Sequence, residues 1–390
     1  MPERIPRLKI ALLGILTIAA YGCWNYAFGV LLDPVIADTG WSESYLTRVY
    51  GSSALIGGFA SVFSGWMLDR LGSRFVFSLG AVVSVVAFLV ASSTGSQAVF
   101  AIASGVGGGM VLALGFYHVT QAVAVRVSPD ASTKAIAVVT VWGAFSSVVY
   151  LPLSAWLVEN HGWRVALTVL AISAGVSFLA AAVGMSTRTE SMPLSVDLVA
   201  GMREALKTRA ARSFLLSQAV MGMAMTVITA YQVPVMTEAG LPLATASAWA
   251  GFRGFSQLFG RLPLMPMVRR FGVVGSIRIS YVAVWLGAVA LAFAGTPLLA
   301  GTFAVVAGFG IGAISPLIGI HSRDVFGSQS LGMAMGVVNL MFQVAGAAGP
   351  PLAGVLVQQT GSRSVAVLAA SFLALLACLS ISSPERSPSG

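Results

Sequence analysis

Charge is scarce in this chain. Asp, Glu, Lys and Arg make up 9% of its 390 residues and apolar types 57%, whereas a soluble domain carries roughly a quarter charged residues. That inventory cannot cover a soluble surface, so the protein is integral to a membrane. Cysteine is scarcer still. Cys23 and Cys378 both sit inside apolar runs, which excludes a disulfide framework and any metal-ligand spacing. The 13 acids all fall in connections, tails or helix ends, so no carboxylate lies deep in the membrane. His-Glu-x-x-His, Gly-x-Ser-x-Gly and Walker sequences do not occur, which leaves no support for an enzyme or an ATP-driven pump and implies no metal or cofactor. Gly105-Val106-Gly107-Gly108-Gly109 resembles a phosphate loop only superficially. It lacks a following Lys-Ser/Thr and lies in an apolar span, where glycines serve close helix packing.

What is present is said twice. Residues 152–158 with Gly162 and Arg164 recur as 351–357 with Gly361 and Arg363; Arg70-Leu71-Gly72 recurs as Arg270-Phe271-Gly272; and Gly105, Gly107, Gly109 with His118 recur as Gly308, Gly310, Gly312 with His321. Three landmarks in one order, about 200 residues apart, mean two copies of one unit, with a site expected between them. Apolar stretches long enough to cross a hydrocarbon core of about 30 Å fall at 9–32, 45–68, 75–92, 98–122, 135–158 and 165–185, then at 214–236, 245–268, 277–295, 298–320, 331–357 and 364–382. The one long polar connection, 186–212, separates a first unit, 1–185, from a second, 213–390.

The net charge of +9 is topological. Of 22 Lys and Arg, 17 lie on alternate connections and the two tails, three (Arg48, Arg164, Arg363) lie on the other side, and Arg253 and Arg261 lie within a span. This bias predicts both termini in the cytoplasm and a partner in the lipid bilayer, not in nucleic acid. Arg4, Arg7 and Lys9 before an apolar run, with Ala20-Tyr21-Gly22-Cys23, imitate a cleaved leader. The run continues to Leu32, however, and cleavage would break the six-plus-six repeat.

Gly65-Trp66-Met67-Leu68-Asp69-Arg70-Leu71-Gly72-Ser73-Arg74 closely resembles the loop signature of the major facilitator superfamily. The resemblance implies an all-α membrane fold of twelve transmembrane helices in two pseudo-symmetric six-helix bundles, acting as a monomer of the bacterial plasma membrane. It also implies that Gly65 and Gly72 permit a tight approach of helices and that Asp69, with Arg70 and Arg74 beside it, latches onto the other half. A plain lipid anchor is the alternative role for the two arginines. The second copy carries Arg269 at the acid position, so any latch is lopsided. Within the superfamily, Asn25-Tyr26-Ala27-Phe28-Gly29-Val30 with Asp33-Pro34, and Gly254-Phe255-Ser256-Gln257-Leu258-Phe259-Gly260-Arg261, are similar to bacterial monocarboxylate and oxalate–formate transporters. In that group an arginine of the eighth helix holds the substrate carboxylate. Gln257 and Val30 depart from the group's aspartate and lysine.

Buried positive charge without buried negative charge suits an anion. Arg253, Gln257 and Arg261 stack along one helix stripe about 12 Å long, and guanidinium grips a carboxylate through two parallel hydrogen bonds. Arg261 can equally tie helices together. Asn25, Tyr26, Tyr231, Gln232, Asn339 and Gln343 are further substrate candidates, each as apt to be interhelical glue. Candidate proton carriers are Asp33, whose charged form desolvation disfavours, and His118 and His321, for which a structural role competes. The expected function is secondary transport of a small organic anion, a monocarboxylate, coupled to protons. Anion exchange, export of neutral or amphipathic drugs, and a transporter-shaped receptor are the alternatives.

Overall fold

A computed structural model describes residues 6–185, 206, 208–326 and 331–382. Nearly all of them are helical, and the helices make twelve crossings in two bundles of six. Span 1 runs Arg7–Thr39 and contains a π-helical turn at Gly22–Tyr26. One helix, Glu43–Ser93, breaks at Gly72 into spans 2 and 3. Span 4 is Gln97–Gly115 continued, after a break at Phe116, by Tyr117–Val127. The helix Ser132–Gly184 breaks at Gly162 into spans 5 and 6. In the second bundle span 7 is Arg209–Glu238 and span 8 is Leu243–Arg261. The helix Leu264–Ala292 carries the end of span 8 as far as Gly272 and then span 9. Spans 10, 11 and 12 are Pro297–Phe326, Leu331–Thr360 and Arg363–Ser380.

The repeat is written into the backbone. Among the described residues the positive-φ residues are all glycines, and they form three pairs: Gly40 with Gly240, Gly72 with Gly272, and Gly162 with Gly361. Each reverses the chain at a place where a Cβ would be strained, so the two halves turn at the same points. The sequence expects span 8 to run unbroken to Val268. The helix instead ends at Arg261 and restarts at Leu264, because Pro263 has no N–H to continue the helical ladder and its own backbone (φ −84°, ψ 10°) leaves helical geometry while Leu262 stays in it. Much of the connection expected at 186–212 lies outside the described residues, so the boundary at that point rests on the sequence.

Lipid gives helices no hydrophobic reason to associate, so close approach and interhelical hydrogen bonds of about 0.6 kcal/mol each do the work. Inside the first bundle Thr17 meets Thr120 at 2.8 Å and the Trp24 indole donates to Ser53 at 2.9 Å. Inside the second the Gln218 amide donates to the Tyr281 hydroxyl at 2.6 Å. The bundles meet along span 2 against span 11, span 5 against span 8, and span 1 against span 7. Thr47 touches Gly354, Gly51 touches Ala347 and Pro351, and Gly58 reaches Gln343. These contacts run from the end opposite the termini, here the far end, to mid-molecule. One turn beyond Gln343, Asn339 is exposed. The molecule is closed at the far end and parts toward the end that carries the termini.

Candidate functional site

Span 8 brings its stripe to the seam between the bundles. Gly254 makes this possible: a Cβ there would lie 1.9 Å from Ser147 Oγ and 2.8 Å from the Ala144 carbonyl. Arg253, one residue earlier, is 1% exposed. Its Nε donates to Gln232 Oε1 at 2.9 Å, its Cζ sits 5.8 Å from the Tyr26 ring centre, and its Nη2 is buried with no partner among the described residues. Gln257 and Arg261 follow, both half-buried, and the Arg261 Nε is also buried without a partner among the described residues. The stripe therefore offers two unsatisfied guanidinium donors and grows more accessible toward the termini end.

Of the other predicted substrate residues, Tyr26 and Gln232 join Arg253. Asn25 is buried nearby in span 1, where its carbonyl and side-chain oxygens accept from the Tyr50 hydroxyl at 3.3 and 3.5 Å. Tyr231 does not belong here. Adjacent residues on a helix point about 100° apart, and while Gln232 faces Arg253, the buried Tyr231 hydroxyl turns to Glu43, Arg363 and Asp33. Gln343 packs against Gly58 and Asn339 is exposed. Neither makes a hydrogen bond to Arg253 among the described residues.

A second cluster closes the far end. Arg363, at the start of span 12, donates through Nη1 and Nη2 to the two oxygens of Asp33, the first at 3.0 Å. It also donates through Nη2 and Nε to Glu43 Oε2 at 2.9 and 3.1 Å. Its Nε lies 3.7 Å from Glu238 Oε2. Three carboxylates from two bundles thus surround one cation, which is only 13% exposed. They border an open cleft of about 410 Å³. Asp33 was legible as a candidate; Glu43, Glu238 and Arg363 were not singled out. A usable signal exists, since Asp38 and Arg164 of the first half align with Glu238 and Arg363, and they too pair, at 3.2 Å.

The loop motif departs from expectation. Asp69 pairs with Arg126, at the end of span 4 in its own bundle, rather than with the other half. Arg126 also donates to the Leu68 carbonyl at 3.3 Å. A Cβ on Gly65 would meet nothing within 4 Å, so this glycine serves no close approach here, because the bundles have parted at this end. Gly72 makes the turn, Arg70 lies over Trp66 with 5.3 Å to the ring centre, and Arg74 is exposed. His118 is held through Nε2 by the Ala113 carbonyl at 2.7 Å and Ser64 at 3.2 Å. His321 is fully buried edge-on to Phe214, with both ring nitrogens unpartnered among the described residues. The histidines therefore share a repeat position but not an environment.

The family model of the Major Facilitator Superfamily matches residues 12–213 and again 214–390. Solved structures of the same fold include a mutant of the nucleoside transporter NupG (14% identity, 96% of this chain and 98% of that one, TM-score 0.81). A D-xylose–proton symporter superimposes with TM-score 0.73 at 17% identity over 95% and 96% of the two chains. A bacterial homologue of the human lysosomal transporter Spinster, inward-facing and unoccupied, gives 0.75 at 14% over 96% of each. No curated protein sequence matches. The chain belongs to the Major Facilitator Superfamily and is a multi-pass membrane transporter.

Proposed function

We propose that this transporter moves a small monocarboxylate across the bacterial plasma membrane by alternating access, with both termini cytoplasmic and the substrate carboxylate held by Arg253. The observation that carries the reading is the buried Arg253 Nη2 with no partner among the described residues. Arginine stays charged in a protein, and a charge at the bilayer centre costs at least about 2.5 kcal/mol. A carboxylate satisfies that group with charge-assisted hydrogen bonds. Arg261, about 12 Å further along the stripe, offers a second grip on the route to the termini end. Residues 1–185 and 213–390 act as the two rocking units.

Proton coupling rests on the far-end cluster. When the bundles part there, Arg363 stays with Glu238 of its own half, as Arg164 stays with Asp38, and Asp33 and Glu43 lose their cation. A proton entering by the cleft restores the balance, with Asp33 as its acceptor. Among proteins of this fold, a D-xylose–proton symporter couples to protons. Anion exchange is the second reading, supported by the same unpaired guanidinium, which favours replacing one anion with another. Uptake into liposomes decides between them. An inward proton gradient drives carboxylate uptake without internal anion if the proposal holds. Uptake that requires preloaded anion and ignores the gradient favours exchange, and binding of neutral drugs in preference to carboxylates refutes both.

A further inference from the structure

A row of rings from the first bundle faces the arginine stripe. Arg253 lies over Tyr26; Tyr26 meets Tyr21 edge-on at 4.8 Å; Tyr21 stacks on Phe116 at 4.7 Å; and Phe116 meets Tyr117 at 4.4 Å. The row ends at Tyr117, whose hydroxyl lies within electrostatic range of Arg261. The rings therefore start at Arg253 and end within electrostatic range of Arg261.

Two breaks in regular helix build this row. Residues five apart in an α-helix point about 140° away from each other, which would send Tyr21 and Tyr26 to different neighbours. The π turn at Gly22–Tyr26, with the Ala27 N–H bonded to the Gly22 carbonyl, stacks position i over i+5 and brings both rings to one face. In span 4 the helix is interrupted at Phe116, whose backbone is extended (ψ −175°), between the two rings it carries into the row. Ordinary packing between spans 1 and 4 needs neither irregularity.

Several polar groups around the row are already committed. Tyr117 donates to the Thr140 carbonyl at 3.1 Å, the Gln232 oxygen accepts from Arg253, and the Asn25 oxygens accept from Tyr50. Among the described residues, guanidinium without a partner stands on one side, and half-buried Tyr21 and Phe116 stand on the other. A flat ring bearing one carboxylate uses both walls, because aromatic pairs gain energy beyond their buried area.

From this arrangement we infer that the substrate is an aryl monocarboxylate, its carboxylate on Arg253 and its ring against Tyr21 and Phe116. This inference rests on the carboxylate reading above. The test measures binding of benzoate, cyclohexanecarboxylate, propionate and benzamide to the purified full-length protein in lipid nanodiscs by calorimetry. Benzoate should bind about 3- to 10-fold more tightly than cyclohexanecarboxylate, which matches it in size and charge but is not flat. Tyr21→Leu and, independently, Phe116→Leu should bring that ratio to about one. Equal binding of benzoate and cyclohexanecarboxylate by the unaltered protein, or an unchanged ratio in both variants, overturns the aryl inference and leaves the carboxylate reading standing. Binding of benzamide as tight as benzoate, or of no carboxylate at all, overturns both.

Discussion

Arg363 of the second bundle is bound to Asp33 of the first, whereas Arg164, its counterpart in the repeat, is bound to Asp38 within its own bundle. The difference lies in two acids. Asp33 and Glu43 align with Val233 and Leu243, so the first bundle offers carboxylates across the seam and the second offers none in return. One arginine therefore has an ion pair at home, with Glu238, and two more across the seam. That asymmetry ties the two bundles together at the far end.

Removing the hub should open it. Arg363→Gln leaves Asp33 and Glu43 with like charge beside Glu238 and removes hydrogen bonds to charged groups worth about 1.5–3 kcal/mol each. Spin labels at Asn160 and Gln359, both exposed at the far end, should report a longer-distance population raised at least about tenfold, since 1.4 kcal/mol is a factor of ten. An unchanged distance distribution would show that packing between spans 2 and 11, not the ion cluster, holds this end shut.

Asp33→Asn separates coupling from movement. Substrate counterflow in liposomes, which needs no net proton transfer, should persist in this variant. Accumulation driven by an inward proton gradient should fall to background. Retention of gradient-driven accumulation would move the proton site elsewhere, with His118 and His321 next to be examined.

Arg253 should trade stability for function. Arg253→Met replaces a buried charge, which costs at least about 2.5 kcal/mol in a membrane, with an apolar chain of similar length. Without substrate the variant should melt about 2–4 °C higher and should show no saturable uptake. Arg253→Lys should also fail, because an ammonium cannot make the planar two-bond grip. A Met variant that still transports would transfer the anchoring role to Arg261.

Gly254→Val should arrest transport through packing alone. Its side chain would collide with Ser147 and with the Ala144 carbonyl, wedging span 8 from span 5 while the arginine stripe keeps its residues. Uptake should drop about 5- to 150-fold, consistent with overpacking that costs about 1–3 kcal/mol in the closed state and displaces the neighbouring Arg253. Gly65→Ala should leave this conformation undisturbed, since nothing stands within 4 Å of the added Cβ. Any slowing of its transport cycle would then report a contact formed only when the termini end closes.

Membrane class, twelve crossings and two halves were decided by composition and periodicity, because lipid requires every spanning backbone to satisfy its own hydrogen bonds and leaves helices as the economical answer. The repeat placed the turns as well: Gly72, Gly272, Gly162 and Gly361 were visible as landmarks, and each is a positive-φ reversal. Arg253 was legible because arginine is rare inside a span. Its neighbours were only half legible. Gln232 and Tyr231 stand side by side in the sequence, and a helix rotation of about 100° sends one to the arginine stripe and the other to the far-end ion cluster. The tertiary structure alone decided the π turn that aligns Tyr21 with Tyr26, the break at Phe116, and the partners of Asp69 and Arg363. Those features depend on which spans face each other across the seam and on which end of the molecule is closed. No local pattern encodes that, because the same residues must serve both ends of the transport cycle.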